Sequence, residues 1–182
     1  ATYKSISQGA VQAGIISSTA GSQQTGNLKE HAYDGNASSR WANNGTLTNA
    51  WIEFKLDRVY DIENLEVLFF NGNSRTYPLS ITLNGNSIWS GNSSLTSGYW
   101  TRTLSGRGDL LRISMTGNNS DGSAWFSINE IRINGVPVNQ HTLTVNSGSG
   151  SGSYSAGTVV NITASNAPAG QRFAQWTGDV AN

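Results

Sequence analysis

The residues best equipped for chemistry are oxygen donors crowded on one turn. Asp34-Gly35, followed by Asn36 and Ser39, brings a carboxylate, an amide, a hydroxyl and their backbone carbonyls into a single tight loop. A calcium ion takes about six to eight such oxygens and accepts backbone carbonyls readily. The chain has no cysteine, which excludes disulfides and thiolate zinc sites and leaves calcium as the metal to expect. A second group suits sugars, which bind by stacking on planar aromatics while a few polar side chains read hydroxyls or carboxylates. Arg75 stands in a Gly/Asn-rich loop directly after an apolar run, where its planar fork can take a uronate carboxylate or two adjacent hydroxyls. His31 precedes the Asp-Gly turn and offers a hydroxyl a donor or an acceptor, so Arg75, Arg40 and His31 could form a local cationic patch. Trp125, after Asp121-Gly122-Ser123-Ala124, is the first choice for a stacking platform. Tyr99, Trp100 and Tyr77 compete for that role, whereas Trp41 and Trp51 are assigned to packing.

These side chains need a rigid frame, and the apolar periodicity supplies one. From Trp51 to Leu56 the sequence alternates, with Ile52, Phe54 and Leu56 on one face. The same period recurs at Leu65, Val67 and Phe69, at Leu79, Ile81 and Leu83, and at Leu111, Ile113 and Met115. Phe126 and Ile128 share one phase while Ile131 and Ile133 share the other, which calls for a β-bulge near Asn129 or Glu130. Helix is limited to a short segment between Asn27 and Tyr33. The fold class is all-β: an antiparallel β-sandwich of jelly-roll, galactose-binding-domain-like type, with a short C-terminal β-hairpin unit.

The turn residues and proline of Asn134 to Gln140 mark a boundary, which gives a first domain over 1–138 and a second unit over 139–182. In the second, a strand carrying Leu143 and Val145, a Gly/Ser run from Ser147 to Ser153 and a strand from Thr158 to Ala164 read as a hairpin. About forty residues with few large apolar side chains make a poor independent core, so this unit is expected to be incomplete.

Composition narrows the partners. Eleven basic and eleven acidic residues give no overall pull toward nucleic acid. No run approaches the ~20 apolar residues of a membrane helix. Few charges and abundant Gly, Ser, Thr and Asn fit an extracellular β-protein, so the chain is expected to be secreted, and to act as a monomer.

From about Asn27 to Gly135 the chain resembles the discoidin or coagulation factor 5/8 type C domains, in the form used as family 32 carbohydrate-binding modules. The likeness is carried by Ala32-Tyr33-Asp34-Gly35-Asn36-Ala37-Ser38-Ser39-Arg40-Trp41, Trp51-Ile52-Glu53-Phe54-Lys55-Leu56, Asn71-Gly72-Asn73-Ser74-Arg75 and Ser127-Ile128-Asn129-Glu130-Ile131-Arg132-Ile133. Residues 141–182 resemble the beginning of a bacterial extracellular repeat, through Thr142-Leu143-Thr144-Val145, Gly157-Thr158-Val159-Val160 and Phe173-Ala174-Gln175-Trp176-Thr177-Gly178. Because the chain stops at Asn182, the repeat is expected to be truncated.

The family likeness implies a structural calcium ion held by Ala32 and Asn36 through carbonyls, Asp34 through its carboxylate, Ser39 through hydroxyl and carbonyl, and Glu130. An Asx turn with Glu130 paired to an arginine is the alternative use of these residues. The likeness also implies a sugar site on loops at one end of the sandwich, with His31, Asn71, Asn73 and Arg75 at the matching positions, and the loop from Asn118 to Trp125 as another wall. Independent catalysis has thin support: Asp34 and Glu130 are claimed by the cation, only two histidines exist, and no Gly-x-Ser-x-Gly or His-Glu-x-x-His pattern occurs. The expected function is a non-catalytic module that holds a parent polysaccharide lyase or glycoside hydrolase, in the same native chain, near its poly- or oligosaccharide, with alginate favoured. Adhesion to glycoprotein or phospholipid is the alternative. Its membrane form would call for exposed apolar spikes on loops that here are rich in Asn, Gly and Ser.

Overall fold

A computed structural model describes residues 9–155 and 158–177. The chain divides into two units, the larger ending at Pro137 and the smaller starting at Val138.

The larger unit is built from β1 (Val11–Gln12), β2 (Ile15–Ala20), β3 (Trp41–Ala42), β4 (Trp51–Phe69), β5 (Pro78–Leu83), β6 (Asn86–Asn92), β7 (Trp100–Met115) and β8 (Ser127–Pro137). All pairings are antiparallel. The alternating runs at Ile52 and at Leu65, which read as separate strands in the sequence, belong to one continuous strand, β4. Its first half pairs with β2 and with the second half of β7, and β7 in turn pairs with β5. Its second half pairs with the first half of β7 and with β8. Two strands therefore run through both layers of the sandwich, and the hairpin of β5 and β6 extends the first layer.

Burial follows the period of two. Ile52, Phe54 and Leu56 are buried from one half of β4 and Leu65, Val67 and Phe69 from the other. The phase changes between Ile62 and Leu65, where the ladder skips Glu63. The expected bulge in β8 is present: Leu68 faces Glu130 and Phe69 faces Ile128, so Asn129 is the extra residue. An aromatic cluster closes the loop end of the core, with Phe69 stacked on Tyr77 at 4.7 Å and Trp41 set edge-on to Phe126 at 5.3 Å. The segment expected to be helical is a single 3-10 turn, Lys29–Ala32, and no α-helix occurs among the described residues.

The smaller unit contains β9 (Gln140–Leu143), β10 (Gly148–Ser149), β11 (Gly152–Ser155) and β12 (Thr163–Ala164). A hairpin is present, but its second strand differs from the one expected. Residues 140–143 pair with 152–155, which begin inside the Gly/Ser run, and only Thr163–Ala164 of the expected second strand is paired, to Gly148–Ser149. Serine and glycine stand here because the backbones approach closely. A Cβ at Gly148 would lie 2.5 Å from the Thr163 carbonyl and 2.7 Å from the Trp176 ring. Gly157 and Gly178 of the repeat motifs lie outside the described residues.

Candidate functional site

The loops that carry the chemistry meet at the end of the sandwich where β8 begins. The Phe70 N–H donates to the Ser127 carbonyl at 3.2 Å, fixing the exit of β4 to that end. Asn71 then takes φ 56°, a left-handed conformation that asparagine tolerates, and its carbonyl accepts the N–H groups of Ser74 and Arg75, both at 2.9 Å. Asn71 and Asn73 are exposed on this turn.

The turn delivers Arg75 to the 118–125 loop, where its Nη2 pairs with the Asp121 carboxylate. Two further bonds zip the segments together: Thr76 N–H to Ser120 Oγ at 2.9 Å and Ser120 N–H to Thr76 O at 3.0 Å. The hydroxyl and backbone N–H of Ser123, and then the Arg75 guanidinium, hold the Asp121 carboxyl below the usual carboxylate range. Arg75, expected as a fork for a uronate carboxylate or two adjacent hydroxyls, is thus a largely buried group already carrying a counter-ion.

Trp125 is half-buried and lies against Gly45, where a Cβ would meet the indole at 3.0 Å. Gly45 has φ 78°, so this position favours glycine twice over. Asn43, which the sequence reading passed over, holds the two segments in place. It is fully buried and satisfies all its bonding capacity: Oδ1 accepts from Phe126 N–H at 2.9 Å and Gly45 N–H at 3.2 Å, while Nδ2 donates to Thr46 O at 3.2 Å and Ala124 O at 3.0 Å. The only signal for it in the sequence was the Asn43-Asn44-Gly45 turn.

His31 lies with Nδ1 3.3 Å from the Arg40 carbonyl. The Arg40 guanidinium stacks on the Phe70 ring, 4.0 Å from its centre, and its Nε is buried with no hydrogen-bond partner. The ring of Phe70, another residue the sequence reading missed, is partly exposed. The competing platforms fall away. Tyr77 and Trp100 are buried in the core, the Tyr77 hydroxyl donating to the Phe70 carbonyl at 2.8 Å, and Tyr99 is covered by Arg132 at 4.2 Å. Trp125 and Phe70 are left as the rings of this end. Trp41 is fully buried, as assigned, and Trp51 is stacked under Arg112 at 4.1 Å.

The cation loop adjoins this end through β8. Ser39 Oγ lies 2.8 Å from Asp34 Oδ2 and 2.8 Å from the Asn36 carbonyl, and the Asn36 N–H donates to Asp34 Oδ1 at 2.9 Å. The Asn129 bulge turns Glu130 inward, where its Oε2 accepts the Gly35 N–H at 2.9 Å; among the described residues no arginine forms an ion pair with Glu130. Burial, together with repulsion from Asp34, pushes the Glu130 carboxyl above its ordinary range. Ala32 is buried at the end of the 3-10 turn that leads into the loop. The donors are oxygens alone, two carboxylates and several neutral groups, a chemistry that suits a hard divalent ion. No three His, Cys, Asp or Glu side chains converge among the described residues, so neutral oxygens would have to complete any shell.

Residues 15–131 match the family model described as F5/8 type C domain, and residues 141–182 match the one described as Divergent InlB B-repeat domain. No curated protein matches the chain. Among solved structures, the CBM32 of AlyQ in complex with 4,5-unsaturated mannuronic acid is 32% identical, with a TM-score of 0.61 over 68% of this chain and 97% of that one. Truncated AlyQ with CBM32 and alginate lyase domains is 30% identical, with a TM-score of 0.62 over 74% of this chain and 35% of that one, so this chain spans about a third of its length. The family 32 CBM from C. perfringens NanJ in complex with galactose, at 15% identity and a TM-score of 0.56 over 68% of this chain and 99% of that one, shares the fold alone.

Proposed function

Because this chain belongs to the F5/8 type C domain family and has the fold of the CBM32 modules, we propose that it is a non-catalytic carbohydrate-binding module. It holds a secreted polysaccharide-degrading enzyme, a lyase or glycoside hydrolase encoded in the same chain, against its glycan. The observation that carries this reading is the loop end itself, where Trp125 seated on Gly45, Phe70 under Arg40, and the Arg75–Asp121 pair bring stacking faces and hydrogen-bond donors together. Tethering works through effective concentration, so weak binding by a monomer at one site suffices. Alginate is the favoured glycan, since the 32% identical AlyQ module holds an unsaturated mannuronic acid. A glycan array probed with calcium present is expected to give uronate-containing hits, and Trp125→Ala is expected to abolish them while leaving the melting temperature within a few degrees. Binding that survives this change places the sugar elsewhere, and an empty array overturns the reading. Release of unsaturated or reducing ends by the purified chain would make it an enzyme instead.

Calcium belongs to the same proposal. Asp34, Asn36, Ser39 and Glu130, with the Ala32 carbonyl, would hold it and would tie the loop to β8. An ion bound only by the folded state adds RT ln(1 + [L]/Kd), about 2.7 kcal/mol at a hundredfold excess over Kd. Chelation is therefore expected to lower the melting temperature, and an unchanged melt overturns the ion.

A membrane reading keeps one observation in its favour. The loops were expected to lack exposed apolar residues, yet Leu47 and Leu95 are exposed, Leu47 two residues beyond Gly45 and Leu95 beside Thr96, whose N–H donates to the Gly72 carbonyl. Co-sedimentation with vesicles of anionic phospholipid, abolished by Leu47→Ser with Leu95→Ser, would establish that alternative.

A further inference from the structure

The loop end presents two guanidinium groups, and their surroundings set them apart. Arg75 is neutralised by Asp121, its side chain only 15% exposed. Arg40 makes no ion pair among the described residues, whereas Lys55, Arg58, Arg107, Arg112 and Arg132 each face a carboxylate. The nearest acid in sequence, Asp34, is engaged by Ser39 and Asn36. Arg40 is held in a different way. Its guanidinium lies over the Phe70 ring, and its Nε is the one buried side-chain polar atom without a partner among the described residues. A cation held over a ring, with no counter-ion among the described residues, keeps its charge for a ligand and loses little freedom on binding one. Both groups belong to one site, because Tyr77 links them: it stands two residues after Arg75, and its hydroxyl donates to the carbonyl of Phe70, on whose ring Arg40 lies.

We infer that the site divides recognition between the two arginines: Arg40 anchors a sugar carboxylate and Arg75, held by Asp121, reads sugar hydroxyls. This rests on the sugar-binding reading above and narrows its ligand to uronate-containing chains. A carboxylate reaching Arg75 would have to displace Asp121, which is fixed in its own turn by the Ser123 N–H at 2.9 Å. Among the described residues no such competitor stands at Arg40.

The test is calorimetric titration of the full chain, in calcium, with a mannuronate trisaccharide and with its neutral mannose counterpart. The wild type is expected to prefer mannuronate. Arg40→Gln is expected to weaken mannuronate binding at least about tenfold, in line with the worth of a charge-assisted hydrogen bond, and to weaken mannose binding far less, so that the preference is lost. Arg75→Gln is expected to weaken both ligands by a similar factor and so keep the preference. Where Arg40→Gln lowers the melting temperature, Arg40→Met, which preserves the stem on Phe70, is held to the same outcome. A wild type that binds both sugars equally overturns this inference and leaves the sugar-binding reading standing. So does a preference that survives loss of Arg40, or one that disappears with Arg75. A wild type that binds neither these two sugars nor any other glycan overturns both.

Discussion

The two units use aromatic residues in opposite ways. In the sandwich, Trp41, Tyr77 and Phe126 are sealed from solvent, and both Trp41 and Tyr77 pack on Phe126. In the repeat unit, Phe173 and Trp176 pair at 5.3 Å yet stay 51% and 37% exposed, and Val159 is 91% exposed. The difference lies in the number of layers. Two packed layers bury both inward faces, whereas the described residues of the repeat unit form only two short two-stranded pairings, too few to build a second layer. An aromatic in a sequence therefore marks a core only where enough alternating strands surround it.

The comparison can be tested by substitution. Trp41→Ala removes a fully buried indole and is expected to cost about 3–5 kcal/mol, read by denaturant titration of the sandwich; a cost under 1 kcal/mol would mean that burial there does not carry stability. Asn43→Ala comes next, at about 2–3 kcal/mol, because its loss strands buried backbone groups of the Ala124 and Phe126 segment. It should also weaken sugar binding through Trp125, which separates it from a purely structural change. The smallest effect is expected at Trp176→Ala, below about 1 kcal/mol and invisible in the sandwich transition. A large shift there would show that the repeat unit carries a core of its own.

The layers were legible in the sequence because half-buried strands alternate, and even the slip at Asn129 could be read from the phase of Phe126, Ile128, Ile131 and Ile133. The continuity of β4 was not, since the apolar alternation stops at Leu56 with Asp57-Arg58 and resumes in another phase at Leu65. The strand Gly152–Ser155 was hidden for a different reason: glycine and serine carry no apolar alternation, and only a close backbone approach assigns them to a ladder. At the site, the residue types were visible while their pairings were not. Arg75 meets Asp121 across the loop end, and that meeting gives its charge a partner that the sequence did not show. Asn43 was invisible because a buried, fully bonded asparagine looks in sequence like any loop residue.

One consequence follows from β8. It starts two residues after Trp125 and runs unbroken to Pro137, where the sandwich ends. A module gripping an immobile substrate at one end while a moving enzyme tugs at the other would feel the load along this strand. Its rungs to β4 lie across that direction, so they would be sheared together rather than peeled one after another, the arrangement that best resists mechanical rupture.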